Sequence, residues 1–292
     1  MKVSRPEKLL FPGGITKADL ACYYERVADA MLVHVAGRPL NLERYPDGIQ
    51  GQRIMQQRAG SHFPEWVKRV AVPSNQGSVE HVVADDAATL VYLADQACIT
   101  PHRWLSRADR LDRPDSLVID LDPTDNTPTE VRRATRLFGQ LLRELELEPY
   151  VMSTGSRGYH VDVPLVRRSD FDDVRGFARE LAALASAREP RLFTTEQRKA
   201  KRAGRILIDI MRNAFAHTAV APYAVRARPG APVATPLDWD ELSQRDTRPD
   251  QWTLKTLPAR LERNGDPWKR MSRHGQGLGQ ARRRLQKLHS EC

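Results

Sequence analysis

Residues Ser116 to Pro123 read SLVIDLDP, a short apolar run that carries two aspartates and is closed by a proline. Such a run, rich in side chains that pack on a pleated surface and ended by a residue that cannot donate to a ladder, predicts a strand. Successive side chains of a strand point to opposite faces, so Asp120 and Asp122 share one face and Ile119 and Leu121 the other. A later run, RILIDIM, sets Asp209 among Ile206, Ile208 and Ile210, which predicts a second strand buried on one face. Any fold this chain adopts must therefore hold three acids on strands without leaving them to repel one another.

The rest of the chain alternates helical and extended patterns. Thr16 caps an expected helix through LACYYERVADAMLVHVAG, with Asp19 in its first turn and Gly37 as its stop. PLNLERYPDGI reads as two short strands about the turn Pro46-Asp47-Gly48, and Val79–Val83 leads past Asp85-Asp86 into a helix near Leu90–Leu93. Thr129 to Leu147 predicts a helix with Leu137, Leu141, Leu142 and Leu145 on one face. Tyr150–Ser153 and His160–Leu165 are expected strands around the loop STGSRG, and Asp170–Ala187 an expected helix. Thr218–Val225 is expected to follow RILIDIM as the next strand, and LDWDELSQ to form a short capped helix. No internal repeat and no linker is visible, which favours one α/β domain over residues 1–268 with a basic tail over 269–292. From Trp268 onward seven Lys and Arg face the single acid Glu291, the pattern of a flexible or nucleic-acid-contacting extension.

Composition narrows the class. At 292 residues with 40% hydrophobic and 28% charged side chains, the chain is long enough for a sizeable core and is neither fibrous nor disordered in character. Its apolar runs are far too short to span a bilayer and MKVSRPEKLLFPGG has no apolar signal region, so the expectation is a cytoplasmic, nucleoid-associated protein with no membrane partner. Cys22, Cys98 and Cys292 lie far apart with no C-x-x-C pair, so neither a disulfide framework nor a thiolate zinc site is expected. The formal charge of +9 suits an anionic partner, because neutralising phosphates releases counterions.

The acids carry the sharpest chemical reading. Side-by-side carboxylates suit a hard divalent cation, and Mg²⁺ characteristically takes one or two carboxylates together with substrate phosphates. Three strand-borne acids can hold two such ions for in-line phosphoryl transfer. Taken alone, D-x-D is equally compatible with an ordinary strand end. In Ser153-Thr154-Gly155-Ser156-Arg157-Gly158-Tyr159-His160, two glycines allow close backbone approach while the hydroxyls, Arg157 and His160 can grip phosphate oxygens. An ordinary glycine hairpin would look the same.

The combination of EKLLFPGGITKADLACYY, AGRPLNLERYPDGI, RPDSLVIDLDP, TGSRGYHVDVPL and RILIDIMRNAFAHTAVAPYAVRARPGAPVATPLDWDEL resembles the polymerase domain of bacterial ligase D, within the archaeo-eukaryotic primase-polymerase superfamily. The resemblance runs from about Arg5 to Trp268. It implies an α/β (α+β) primase-polymerase core: a central, mostly antiparallel sheet flanked by helices in a single globular domain. It also implies a nucleotidyltransferase, a DNA polymerase or primase that fills gaps or broken ends with a preference for ribonucleotides. Asp120, Asp122 and Asp209 fall on its ligands for two Mn²⁺ or Mg²⁺ ions. Arg44, Thr154, Arg157, His160, Arg202 and Arg226 fall on contacts to an incoming NTP or dNTP, with His160 also counted among the catalytic residues. Lys8 and Lys17 fall on readers of a downstream 5′-phosphate, and Ile54 and Met55 on the template contact. Partners implied are gapped or broken DNA, and a separately encoded DNA ligase and Ku if the chain is free-standing. A primase starting chains without a primer and a non-catalytic DNA-end-binding module are the competing readings.

The chain departs from the family pattern in places. Ile54-Met55-Gln56-Gln57 stands where two aromatics and a lysine are usual, and a stacked aromatic contributes on the order of 1 to 3 kcal/mol. Thr154 replaces the usual serine, Arg157 the usual lysine, and Glu43 a frequent basic residue beside the retained Arg44; Arg212 is a further substitution.

Overall fold

The structure, a computed structural model, describes residues 2–74, 77–244 and 246–290; Glu291 and Cys292, which entered the tail and cysteine readings, lie outside them. Two compact units are interleaved in the sequence. One comprises Met1–Leu111, Thr218–Thr235 and Asp250–Asp266, the other Asp112–His217, Pro236–Pro249 and Pro267–Cys292. Each contains a six-stranded sheet with helices, the mixed α/β architecture that the sequence predicts.

In the first unit Thr16 and Asp19 form a reciprocal capping box that starts helix Lys17–Arg26. The expected single helix is two. It breaks at Val27, and Ala28–Val35 follows, although Val27 still donates to Tyr23 and accepts from Met31. The sheet runs in the order Thr218–Val220, Cys98–Trp104, Pro39–Arg44, Gly77–Val83, Arg69–Ser74, with Ile54–Gln56 also paired to Pro39–Arg44. The partner of Pro39–Arg44 thus begins later than the sequence suggested, because Gly48, at φ +77°, turns the chain under the carbonyls of Leu9 and Leu10 first. The expected helix past Asp85-Asp86 spans Ala87–Asp95, and Asp86 caps it. Thr218–Val220 pairs with Cys98–Trp104 in this unit and not with the strand that precedes it in sequence.

In the second unit the sheet order is Phe193–Thr194, Ile206–Asp209, Ser116–Asp122, Tyr159–Pro164, Tyr150–Ser153, Thr235–Leu237. Phe193–Thr194 runs parallel to Ile206–Asp209, while the ladders of Ser116–Asp122 are antiparallel. Ile206, Leu207 and Ile208 are all buried, so that strand is covered on both faces rather than one. Thr127 and Glu130 form a second capping box, with Pro128 in the first turn, and the helix spans Pro128–Glu144. Its buried face is carried by Val131, Phe138, Leu141 and Leu142; Leu137 is half-exposed, and Phe138 fills the place expected for it. Asp170 caps helix Phe171–Arg188 from outside. LDWDELSQ yields only the short 3₁₀ turn Glu241–Ser243.

The basic tail is a docked helix, Leu278–Ser290, packed on Phe171–Arg188. Leu278, Ala281 and Leu285 form a buried stripe at helical spacing, which the run of cations conceals in the sequence. Arg282 donates to the Asp173 carbonyl at 2.9 Å, and Arg284 pairs with Glu146. Among the described residues no helix is long and apolar enough to cross a membrane.

Candidate active site

The three acids meet through strand register. Ser116–Asp122 lies between Ile206–Asp209 and Tyr159–Pro164, with Asp120 directly opposite Asp209 on one side and opposite His160 on the other. Residues opposite one another across an antiparallel ladder share a face, and Asp122 joins that face two positions along. Asp209, Asp120 and His160 therefore form a row across three strands, with Asp122 beside it. Asn213 fixes the register. Fully buried, it accepts from the Val118 amide at 2.9 Å and donates to the Val118 carbonyl at 2.6 Å, in effect continuing the ladder where the Ile206–Asp209 strand has ended.

The glycine loop is bound to the same strand. Thr154 closes it by donating its amide and its hydroxyl to the Gly158 carbonyl, at 3.1 and 3.0 Å. Gly155 adopts φ +64°, and at Gly158 any Cβ would stand 2.1 Å from the carbonyl oxygen of Leu121, between the two aspartates. Only a glycine lets the loop lie this close to the acids.

Positive charge surrounds the carboxylates. Buried Arg202 donates to Asp122 Oδ2 at 2.9 Å while the carbonyls of Glu196 and Gln197 hold the rest of its guanidinium. Exposed Arg157 approaches Asp122 Oδ1 at 3.8 Å. His160 Nε2 and Arg212 stand 3.5 and 3.6 Å from Asp120 Oδ2, and Asp209 Oδ1 accepts from the Met211 amide at 2.8 Å. Arg212, visible in the sequence only as a substitution, is thus an electrostatic neighbour of Asp120.

Three carboxylates on one face, from two adjacent strands, are the donor chemistry that a hard divalent cation requires. Among the described residues no three of His, Cys, Asp and Glu converge into a ready cage. Asp120 and Asp122 lean instead on arginines, which relieve the same repulsion that a cation would relieve. The donor set fits a metal site whose side chains exchange arginine contacts for ligation.

A family model described as the LigD primase-polymerase domain matches residues 16–268. The chain belongs to this family. It is 33% identical over 288 residues to the multifunctional non-homologous end joining protein LigD of Pseudomonas aeruginosa, covering 97% of this chain and 34% of that one. Identity to the LigD of Mycolicibacterium smegmatis is 30%, over 91% of this chain and 35% of the relative. The chain thus spans about a third of the length of these curated relatives. The polymerase domain of Mycobacterium tuberculosis ligase D, solved in complex with DNA, superposes with a TM-score of 0.88 at 28% identity, covering 94% of this chain and 99% of that one.

The remaining residues singled out by this primase-polymerase resemblance lie in the first unit. Lys8 is partly exposed and pairs with Asp47 at 3.0 Å. Lys17 is buried, held by Ser4 at 3.0 Å and Asp95 at 3.2 Å, and its amide donates to the Lys8 carbonyl. The two lysines are neighbours, but Lys17 must leave Asp95 to reach a phosphate. Arg44 donates to the Gln96 carbonyl and to Gln56 Oε1, at 2.7 and 2.6 Å. Arg226 sits in the turn that its own amide closes onto the Pro232 carbonyl. Ile54 and Met55 are exposed on their strand. Glu43 is buried among three partners, Tyr45 at 3.0 Å, Arg53 at 2.8 Å and His102 at 3.0 Å. Burial alone would raise its carboxyl, but His102, Arg53 and Tyr45 outweigh that and hold it at about 2. This cluster had no signal in the sequence beyond an acid in an unexpected place. Cys98 is likewise buried, its thiol pushed up to about 12 by desolvation, and is chemically quiet.

Proposed function

We propose that the chain is a template-dependent nucleotidyltransferase that extends 3′ ends at short gaps or breaks in DNA, in end joining or gap filling, with a preference for ribonucleotides. The observation that carries this reading is the row Asp209–Asp120–His160 with Asp122 beside it, under a glycine loop that lies on the same strand.

In this mechanism Asp120, Asp122 and Asp209 hold two divalent ions, Mn²⁺ by preference or Mg²⁺. When bound, the ions supply charge neutralisation at the triphosphate and acidify the primer 3′-hydroxyl. Thr154, Arg157 and His160 bind and orient the triphosphate from the loop side, and Arg202 adds charge beside Asp122. Arg202 and Arg157 have a second duty, since their charge beside Asp122 offsets the repulsion among the acids before substrate arrives. Arg44 and Arg226 complete the nucleotide contacts, Ile54 and Met55 meet the template, and Lys8 with Lys17 reads a downstream 5′-phosphate. Partners are gapped or broken DNA, NTP or dNTP, and a separately encoded DNA ligase and Ku. The catalytic domain runs over residues 1–268, with 269–292 as a basic appendage, and the protein works in the cytoplasm at the nucleoid.

Primer extension on gapped DNA, with and without the 5′-phosphate and with rNTP against dNTP, tests the reading. Extension that needs Mn²⁺ or Mg²⁺ and rises with the 5′-phosphate supports it. Dinucleotide synthesis on an unprimed single strand would indicate a primase, and DNA binding with no extension a non-catalytic module.

A further inference from the structure

Trp66 is 49% exposed, unusual for the largest apolar side chain, yet it is not loose. Its ring packs edge-to-face with Tyr92 at 5.5 Å and 73°, and Tyr92 packs in the same way on buried Phe63 at 5.2 Å and 85°. Tyr92 itself is anchored on helix Ala87–Asp95. The indole is therefore held by a buried aromatic stack while about half of its surface stays open.

This platform is wired to the exposed Ile54–Met55 strand. His62 packs on Phe63 at 4.9 Å and bonds Gln96 Oε1 at 3.2 Å. The Gln96 carbonyl takes the Arg44 guanidinium, which also reaches Gln56 on the strand next to Met55. Charge in this stretch is basic: Arg53, Arg58, Lys68 and Arg69 stand against Glu65 between residues 53 and 69. Three of the cations have acid partners, Arg53 with Glu43, Lys68 with Asp85 and Arg69 loosely with Glu80 at 3.9 Å.

From this arrangement we propose that Trp66 is a stacking platform for an unpaired nucleobase of a DNA single strand. A rigid, half-open aromatic face is what sequence-tolerant single-strand stacking requires, because every base offers a π-face. A protein partner would need a wider apolar patch around the indole, whereas Glu65 and Lys68 beside it are exposed and charged. The inference deepens the polymerase reading by naming a contact to the unpaired strand.

The test is anisotropy binding of a labelled oligo-dT to the whole chain, without metal or nucleotide, across a range of salt concentrations. Trp66→Ala is expected to weaken binding roughly 5- to 100-fold. The slope of log affinity against log salt should stay unchanged, since a stacked ring releases no counterions. Trp66→Phe, which keeps the packing on Tyr92, should retain most of the affinity while abolishing the DNA-induced quenching of indole fluorescence. Equal affinity for wild type and Trp66→Ala, unchanged quenching in Trp66→Phe, or no binding of oligo-dT by the wild type each overturns the proposal. Because no metal or nucleotide is present, a chain inactive in extension can still show the Trp66 effect, and an active chain can lack it.

Discussion

Glu43 and the Asp120–Asp122–Asp209 face both put acids on sheet strands, and the two regions treat them in opposite ways. Glu43 is saturated, with three donors at 3.0 Å or less around a buried carboxylate. Asp120 has His160 Nε2 at 3.5 Å and the Arg212 guanidinium at 3.6 Å, and Asp122 has one close guanidinium and one at 3.8 Å. An acid enclosed by short hydrogen bonds is part of the scaffold. Acids gathered on a common face beside arginines have the donor chemistry for another cation. The two regions thus differ in whether an acid stands singly among its partners or shares a face with other acids, as Asp120 does with Asp209 opposite it.

Substitutions can break this comparison from either end. Asp120→Ala with Asp122→Ala should reduce primer extension by roughly a thousand-fold or more, since several kcal/mol of transition-state stabilisation rest on the cations they hold. The variant should still fold cooperatively, at an unfolding temperature below the wild type, because buried Arg202 loses its carboxylate partner. A variant that extends normally, or that fails to fold, contradicts the functional assignment of these acids.

Glu43→Ala should do the reverse and lower stability by roughly 3 kcal/mol in urea titration, as it strands Arg53 and His102 around an emptied pocket. The sign of the pH dependence follows from the depressed carboxyl. Its contribution is complete above the ordinary carboxylate value and is lost as pH falls toward about 2. Wild type should therefore lose stability over that acid range more steeply than Glu43→Gln.

A smaller effect is expected at Gly158→Ala. The new Cβ cannot coexist with the Leu121 carbonyl at 2.1 Å, so the loop must lift from the acids, at a cost of about 1 to 3 kcal/mol. Extension should fall while affinity for DNA without nucleotide stays the same; parallel loss of both would mean that the loop is only structural. Smallest is Lys17→Ala, expected to cut the preference for a downstream 5′-phosphate several-fold while leaving extension without that phosphate unchanged. Because Lys17 also pairs with Asp95, Asp95→Asn should sharpen the preference by releasing the ammonium.

Much of this was legible beforehand because it depends on short-range rules. Helix starts at Thr16, Asp86 and Asp170 follow from the way a short side chain satisfies early amides. What the sequence left unspecified depended on packing partners far away. Lys17 is drawn inward by Asp95, 78 residues on, and no local pattern warns of it. Thr218–Val220 joins Cys98–Trp104 rather than its predecessor because the chain crosses between units at that point. The tail docks because its apolar stripe outweighs the impression made by its charge.

The sequence by itself determined that Asp120 and Asp122 share a face, since strand periodicity leaves no other choice, and that Gly155 and Gly158 free the next loop for close approach. Only the tertiary structure decided that Asp209 stands opposite Asp120, that His160 flanks them, and that Arg202 and Arg212 neutralise the group. Register between strands some 89 residues apart is set by cooperative burial and by one asparagine that continues the ladder, and such long-range pairing leaves no mark in either segment alone.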